Sequence, residues 1–296
     1  MTVATERRGA VSLTSGRSIG TARRVRQSGP KALLYVVMIV IAVGFLLPLI
    51  WMISSSLKPE ADVLTVPPSF IPKHPQWSNY SKVFDIIPRY FFNSVKLAVY
   101  NVLGVLITSS LAGFAFARLR FAGRNLFFTL LLSTAIIPGI IYLIPQYIIF
   151  SKIGWIDTHY PLWVPRVFTP VFATFLMRQS FMTLPQELED AGRIDGASTF
   201  TIYLKVMLPQ TKPSLAAIGM FTFLESWNDL FGPIIYLSSA KLETLPVAMA
   251  EFQGEYFSEV SLLMAAATVS VVPVLLVYLL TQRFFIQGIT MTGLRG

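Results

Sequence analysis

The chain carries few groups able to do chemistry. Among its 296 residues there is no cysteine, there are two histidines (His74 and His159), and 15 residues are acidic. Disulfides and cysteine-based nucleophilic or redox chemistry are thereby excluded. A zinc site would need carboxylates from distant positions, and no HExxH is present. None of the 18 glycines precedes a lysine, so the chain has no Walker A loop to cradle phosphate. An enzyme is therefore not expected, and neither is a cofactor or metal held by this chain. What remains is the placement of acid. Glu187, Glu189, Asp190 and Asp195 gather in one polar segment, whereas Glu225 and Asp229 fall in an apolar one, four residues apart around Trp227 and Asn228. On one helix that spacing puts both carboxylates on the same face. Ionisable groups at membrane depth are costly and mark functional sites. This pair suits a proton relay, and it equally suits plain hydrogen bonding toward a partner or a water-filled interior.

The elements that must position these residues are apolar. Hydrophobic residues make up 54% of the chain and charged residues only 13%, against roughly 25% charge in soluble domains. The net charge of +9 would point to nucleic acid only if it were concentrated on a polar domain, and here apolar runs dominate. A helix crossing hydrocarbon needs about 20 apolar residues. Six such stretches are expected to span: Ala32 to Ser54, Phe92 to Ala117, Asn125 to Phe150, Tyr160 to Leu176, Ser214 to Leu237 and Ser261 to Leu280. The fourth and fifth contain Pro161, Pro165, Pro170, Pro233 and charge, and so read as bent interior helices. The predicted class is an all-α, multi-pass membrane protein.

Of the 24 basic residues, 16 fall in the two tails and in the loops after the second and fourth spans. By the positive-inside rule both termini are cytoplasmic. Residues 1–30 are expected to form a disordered basic tail near anionic lipid, and 31–296 the transmembrane domain. The first span is too long for a signal-peptide core and lacks an A-x-A site, so it is expected to remain as an anchor. Gly104, Ser109, Gly113 and Ala117 would let a second helix approach closely, either within the chain or at a subunit contact. Trp51, Trp77, Trp155 and Trp163 sit near span ends, as an interfacial belt does. The last outside loop sets Lys241 against Glu243, Glu251, Glu255 and Glu259.

The longest polar stretch between spans runs over about 184–213. Leu184, Leu188, Ala191 and Ile194 recur at helical spacing and predict one apolar face. Glu187, Glu189 and Asp190 crowd the first turn, where negative charge suits the helix dipole. Asp195-Gly196 signals a turn, and Thr199 to Met207 predicts a second short helix stopped by Pro209. Two short helices with small residues at their corner fit a groove on another protein, and they also fit an ordinary interfacial connector.

The residues of this stretch, Glu189-Asp190-Ala191-Gly192-Arg193-Ile194-Asp195-Gly196-Ala197 with Leu208-Pro209 further on, resemble the E-A-A-x-x-D-G-A-x(n)-L-P loop of binding-protein-dependent ABC import permeases. Asp190 departs from the usual alanine. Ser56 to Asp62, Pro67-Pro68, Asn79-Tyr80, Trp227-Asn228 and the ending Phe285 to Thr290 are similar to the carbohydrate-importing branch. The resemblance covers the chain from about residue 31 onward and implies a type I importer permease fold in a prokaryotic cytoplasmic membrane. It implies a sugar substrate and several partners: a second homologous permease, two ATPase subunits that use ATP and Mg, and an extracytoplasmic solute-binding protein. It further implies that Glu189, Asp190, Ala191, Asp195, Gly196, Ala197, Phe200, Leu208 and Pro209 form the ATPase-coupling loop. In such a protein Glu225, Asn228 and Asp229 would meet sugar hydroxyls, and Trp227 would offer a face to a pyranose ring. A proton-coupled secondary transporter using Glu225 and Asp229 is the competing expectation.

Overall fold

The protein is described from a computed structural model, which covers residues 20–255 and 259–292. All regular structure among the described residues is helical. In order, α1 (Gly20–Ser56) precedes two short helices, α2 (Glu60–Val63) and α3 (Ser78–Ile86), and then α4 (Pro88–Arg118). Next come α5 (Arg124–Thr134), a 3-10 turn at Gly139–Tyr142, α6 (Leu143–Lys152), α7 (Tyr160–Phe168) and α8 (Val171–Met182). The polar stretch forms α9 (Glu187–Ile194), α10 (Thr199–Thr201), a π-helical segment (Ile202–Met207) and α11 (Leu208–Gln210). The chain closes with α12 (Lys212–Trp227), α13 (Phe231–Tyr236), α14 (Leu245–Glu255) and α15 (Val260–Thr292).

By length and composition, Leu33–Ser56, Pro88–Arg118 and Val260–Phe284 are able to cross a bilayer. A fourth crossing results if Arg124–Thr134 and Gly139–Lys152, bent by 87°, count as one. Six spans are expected from the sequence, two of them bent, and the remaining apolar runs are divided by breaks. The Tyr160–Leu176 stretch is split at Thr169-Pro170, where proline removes a donor and pushes the residue before it out of the helical region. The Ser214–Leu237 stretch is split at Asn228 to Leu230. At the other end of the chain, α1 starts at Gly20, ahead of the boundary expected at residue 31, and residues 1–19 of the expected tail lie outside the described residues.

The described residues from Met52 onward form one compact unit organised around α4, which packs along α7, α8 and α12. The small residues of α4 make this possible. A Cβ on Gly104 would lie 2.3 Å from Val167 Cγ2, and one on Gly113 would lie 2.6 Å from Met177 Cβ and 2.9 Å from the Arg178 nitrogen. Ser109, between them, is fully buried. The stripe therefore serves contact within the chain. Beside it Val105, Phe114, Ala173, Met177, Phe181, Ile202, Tyr203, Met207 and Ile218 form a buried cluster, with Phe114 edge-on to Phe181 at 5.5 Å.

At the Asn93 end of α4, polar side chains close backbone groups that the helices leave open. Glu60 accepts from the Val260 and Ser261 N–H groups (both 2.9 Å), satisfying first-turn donors of α15. Asn79 donates to the Ser56 and Lys58 carbonyls, Tyr80 bonds Ser56, and buried Lys58 donates to the Ser69 carbonyl. Asn93 donates to the carbonyls of Lys241 (3.0 Å) and Glu243 (2.9 Å). Asp157, at φ 57°, accepts from the N–H groups of Ser238 and Ser239 and from the Ser239 hydroxyl.

Two outcomes follow. Gly113→Val drives a side chain into the α8 backbone, so purified protein should lose about 1–3 kcal/mol of stability, read as a lower thermal midpoint. The Ser239 hydroxyl first, and then the N–H groups of Ser238 and Ser239, hold the Asp157 carboxyl below its ordinary value of 3.8. A depressed carboxylate stabilises above its unfolded pKa and loses that contribution as pH falls through the folded one. Asp157→Asn, which tolerates the same positive φ, should therefore flatten the thermal-stability profile on its acid side, and an unchanged acid limb would refute this role.

Candidate functional site

The polar stretch folds back on the Arg118 end of α4. Helix α9 turns inward with Leu188, Glu189 and Gly192, so the expected apolar face is only partly right: Leu184 and Leu188 pack on the core, while Ala191 is exposed and Ile194 is 86% exposed. The inward position belongs to Glu189, which is 2% exposed. Its Oε1 accepts from Arg193 Nη2 at 2.6 Å and its Oε2 from Gln186 Nε2 at 3.3 Å. Arg118 donates to Gln186 Oε1 (2.9 Å) and to the carbonyls of Phe181 (2.6 Å) and Leu184. A buried carboxylate is tolerated because it is paired and hydrogen-bonded. Within this chain the Glu189 carboxylate is therefore engaged by Arg193 and Gln186.

The turn after α9 closes as the Asp195-Gly196 pair predicts. Gly196 takes φ +75°, its N–H bonds the Arg193 carbonyl (3.0 Å), and the Ala197 N–H bonds the Gly192 carbonyl (2.9 Å). These two bonds make a Schellman stop. Ser198 then caps the next helix by accepting from the Thr201 N–H at 3.2 Å. Gly192 lets Ile202 approach, since a Cβ there would lie 3.0 Å from Ile202 Cγ1. Pro209 does not stop the second helix as expected. The backbone widens into the π-helical turn over 202–207, α11 continues to Gln210, and a wider turn is one way to accommodate a proline ring. Leu208 packs on the core cluster and Pro209 is exposed.

Two links therefore bind the corner to α4. One is the Arg118 network, and the other is a hydrogen bond of 2.8 Å between Ser110 Oγ and the Tyr203 hydroxyl, with the Tyr203 ring 5.2 Å from Phe114. What remains outward is Asp190, Asp195, Gly196, Ile194 and Phe200, the last 62% exposed and ring-to-ring with Tyr203 at 5.8 Å. The corner therefore leaves an apolar pair exposed beside small residues and is anchored from behind.

The second group lies at the helix breaks. Glu225 stays on α12, but Asp229 falls beyond the end of that helix, so the two carboxylates do not share a helical face. Asp229 Oδ1 accepts from the Gly232 N–H in the first turn of α13 (3.1 Å), and Oδ2 faces Arg166 Nη2 at 3.5 Å. Asn228 is exposed and bonds the Leu224 carbonyl. Trp227 is not available to a ligand: it is 4% exposed, stacked on Phe223 and edge-on to Phe91, with Nε1 donating to the Ser270 carbonyl at 3.2 Å. Glu225 and Arg166 line a crevice of about 170 Å³ at the α7–α8 break, together with Val105, Thr169, Pro170 and Phe221. Arg166 Nη1 is buried there without a hydrogen-bond partner. Arg166 lies within the Tyr160–Leu176 stretch, opposite the one apolar stretch that carries two carboxylates. That complementarity was the available signal. Asn101, buried on α4, donates to Ser226 Oγ (2.8 Å) and ties α12 to α4 beside the crevice. Among the described residues no three His, Asp or Glu side chains gather as a metal site would require.

Comparison with known proteins fits this arrangement. Residues 104–291 match the family described as binding-protein-dependent transport system inner membrane component. The arabinooligosaccharides transport system permease protein of Halalkalibacterium halodurans is 34% identical over 254 residues, covering 84% of this chain and 91% of that protein. Its counterpart in Bacillus subtilis is 31% identical, over 85% and 91%. A chain in the crystal structure of a bacterial ABC transporter involved in importing the acidic polysaccharide alginate superposes with a TM-score of 0.75 at 24% identity, over 91% of this chain and all of that one. The buried center built on α4, the anchored corner and the matched sequence together make this multi-pass chain a transport permease subunit, a member of the binding-protein-dependent inner membrane component family.

Proposed function

We propose that this chain is one of two permease subunits forming the pore of an ATP-binding-cassette importer for a carbohydrate. Relatives named for arabinooligosaccharide transport support the substrate class. The observation that carries the mechanism is the exposed Ile194–Gly196–Phe200 corner held to α4 by Arg118 and Tyr203. In this reading the Arg118 end is cytoplasmic, as the distribution of basic residues supports. Two partner ATPases bind ATP and Mg, and their closure displaces the corner. Asp190, Asp195 and the two apolar side chains meet the ATPase, while Gly196 and Ala197 keep the backbone accessible. Glu189, with Arg118, turns that displacement into movement of α4 and α8.

The substrate pathway in this proposal passes the crevice at the two helix breaks, where Arg166, Glu225, Asn228 and Asp229 offer donors and acceptors to hydroxyls. The Asn93 end faces the solute-binding protein. A proton relay through Glu225 and Asp229 is set aside: family membership favours binding-protein-dependent import, and Asp229 is engaged by Arg166 and Gly232.

In liposomes rebuilt with both permeases, the ATPases and the binding protein, Gly196→Asp and Ala197→Glu should assemble normally but lose both uptake and binding-protein-stimulated ATP hydrolysis. Full uptake by both variants would overturn the coupling role. Arg166→Ala should cut uptake while ATP hydrolysis persists, and uptake equal to wild type would take Arg166 out of the substrate pathway. Collapsing a pH gradient should alter neither wild-type uptake nor that of Glu225→Gln; a gradient requirement lost with Glu225 would establish proton coupling instead.

A further inference from the structure

Lys96 is a cation within an apolar helix that the proposed mechanism does not use. It lies on α4 less than one turn beyond Asn93 and Ser94, the residues that bond the 241–245 segment, and so just inside the apolar run. It lines an open pocket of about 460 Å³ with Tyr100, Leu103, His159, Tyr160 and Trp163. Tyr100 and Tyr160 meet Trp163 at ring separations of 5.8 and 6.3 Å. The His159 ring is already held, its Nε2 donating to the Leu242 carbonyl at 2.7 Å. Among the described residues Lys96 has neither a hydrogen-bond partner nor a carboxylate partner. A charge at this depth calls for a counter-ion, and the described residues supply none.

The direction in which the pocket opens identifies the source of that counter-ion. Lys96 and Val105 are nine residues apart on one helix, half a turn out of phase, so the pocket faces away from the crevice that Val105 lines with Arg166. On the Lys96 side the stripe continues through Val99, Leu103 and Ile107, which are 45%, 55% and 58% exposed. From Lys96 to Ile107 this is about 16 Å of helix, close to one leaflet of a hydrocarbon core roughly 30 Å thick. A lysine and aromatic rings at the boundary, with an apolar track one leaflet long beneath them, match a phospholipid: headgroup above, acyl chain below.

We propose that Lys96 binds the headgroup phosphate of an anionic phospholipid, with Tyr100, Tyr160 and Trp163 walling the headgroup and Val99, Leu103 and Ile107 carrying an acyl chain. The probe is phosphatidylglycerol with brominated chains, titrated into the full-length chain in detergent micelles. Trp163 emission is followed, its share isolated by subtracting Trp163→Phe. Quenching should saturate, Lys96→Gln should raise the half-saturating lipid concentration roughly fivefold, and Lys96→Arg should restore it. Brominated diacylglycerol, which has no phosphate, should show no dependence on residue 96. Identical titrations for wild type and Lys96→Gln would overturn the site. Displacement of the quench by millimolar glycerol phosphate would assign the pocket to a soluble phosphate and overturn the lipid. Loss of all Trp163 quenching in native membranes, with quenching retained in the isolated chain, would show that another protein covers this face, which also overturns the proposal.

Discussion

The approach of α4 to α8 at Gly113 is the constraint on which the other contacts depend. With no side chain there, the two backbones come within the reach of a single methyl group. The aromatic cluster of Phe114, Phe181 and Tyr203 then closes around the crossing. Arg118, one helical turn and one residue further along α4, arrives beside the carbonyls of Phe181 and Leu184, where α8 runs out of internal partners. Arg178 on α8 reaches back to the Phe116 carbonyl and covers the Phe128 ring at 4.3 Å. A wider crossing would pull both arginines away from these carbonyls. It would also take the Gln186–Glu189–Arg193 network with it, and Glu189 would be left as a buried charge with fewer partners, a costly state.

Polar groups elsewhere follow one economy. In an apolar medium an open backbone donor or acceptor costs several kcal/mol, so scarce polar side chains are placed at helix ends and loop crossings. Glu60 caps α15, Asn79 bridges the turn after α1, Asn93 and Ser94 tether the 241–245 segment, and Asp157 holds Ser238 and Ser239. Residues that look like a transport signature in sequence, such as Glu60, Asn79 and Tyr80, prove to be structural fasteners. Against that background Arg166 Nη1 stands out as a buried donor without a hydrogen-bond partner, although Nη2 faces Asp229, and Lys96 as an ammonium that no carboxylate meets among the described residues.

The sequence carried the long helices, the polar corner and its turn, because each rests on local chemistry: apolar length for α4 and α15, and a glycine at the left-handed position for the Asp195-Gly196 turn. It did not carry the inward orientation of Glu189. That orientation depends on Arg118, which is remote in sequence and becomes a neighbour only once α4 and α8 have met at Gly113. Trp227 failed for a related reason. Periodicity puts it on an apolar helix beside two carboxylates, but Phe91 and the Ser270 carbonyl from other helices, with Phe223 one turn back on the same face of α12, decide that it is core. The breaks at Thr169-Pro170 and Asn228 to Leu230 were visible as proline and charge. Reading them as bends kept Glu225 and Asp229 on one face, whereas a full break takes Asp229 off the helix and turns it toward Arg166.

Those breaks also explain why a polar crevice exists inside an apolar bundle. A continuous helix consumes its own donors and acceptors and shows its neighbours only side chains. Where α7 stops before Pro170 and α12 stops at Asn228, terminal backbone groups become available, and the structure answers them locally: Thr169 Oγ1 bonds the Pro165 carbonyl, Asn228 Nδ2 the Leu224 carbonyl and Asp229 the Gly232 N–H. Interrupted backbone at membrane depth is tolerated only where it is buried or lines a cavity, and here the paired breaks border a polar crevice. α4, unbroken from Pro88 to Arg118, runs from the loop tethers at Asn93 past Val105 at the crevice to Arg118 beneath the corner. One stiff helix thus touches both the site of contact and the polar interior. Under the proposed coupling, displacement applied at the corner reaches the crevice through α4, and the broken helices beside it are the joints at which the walls move.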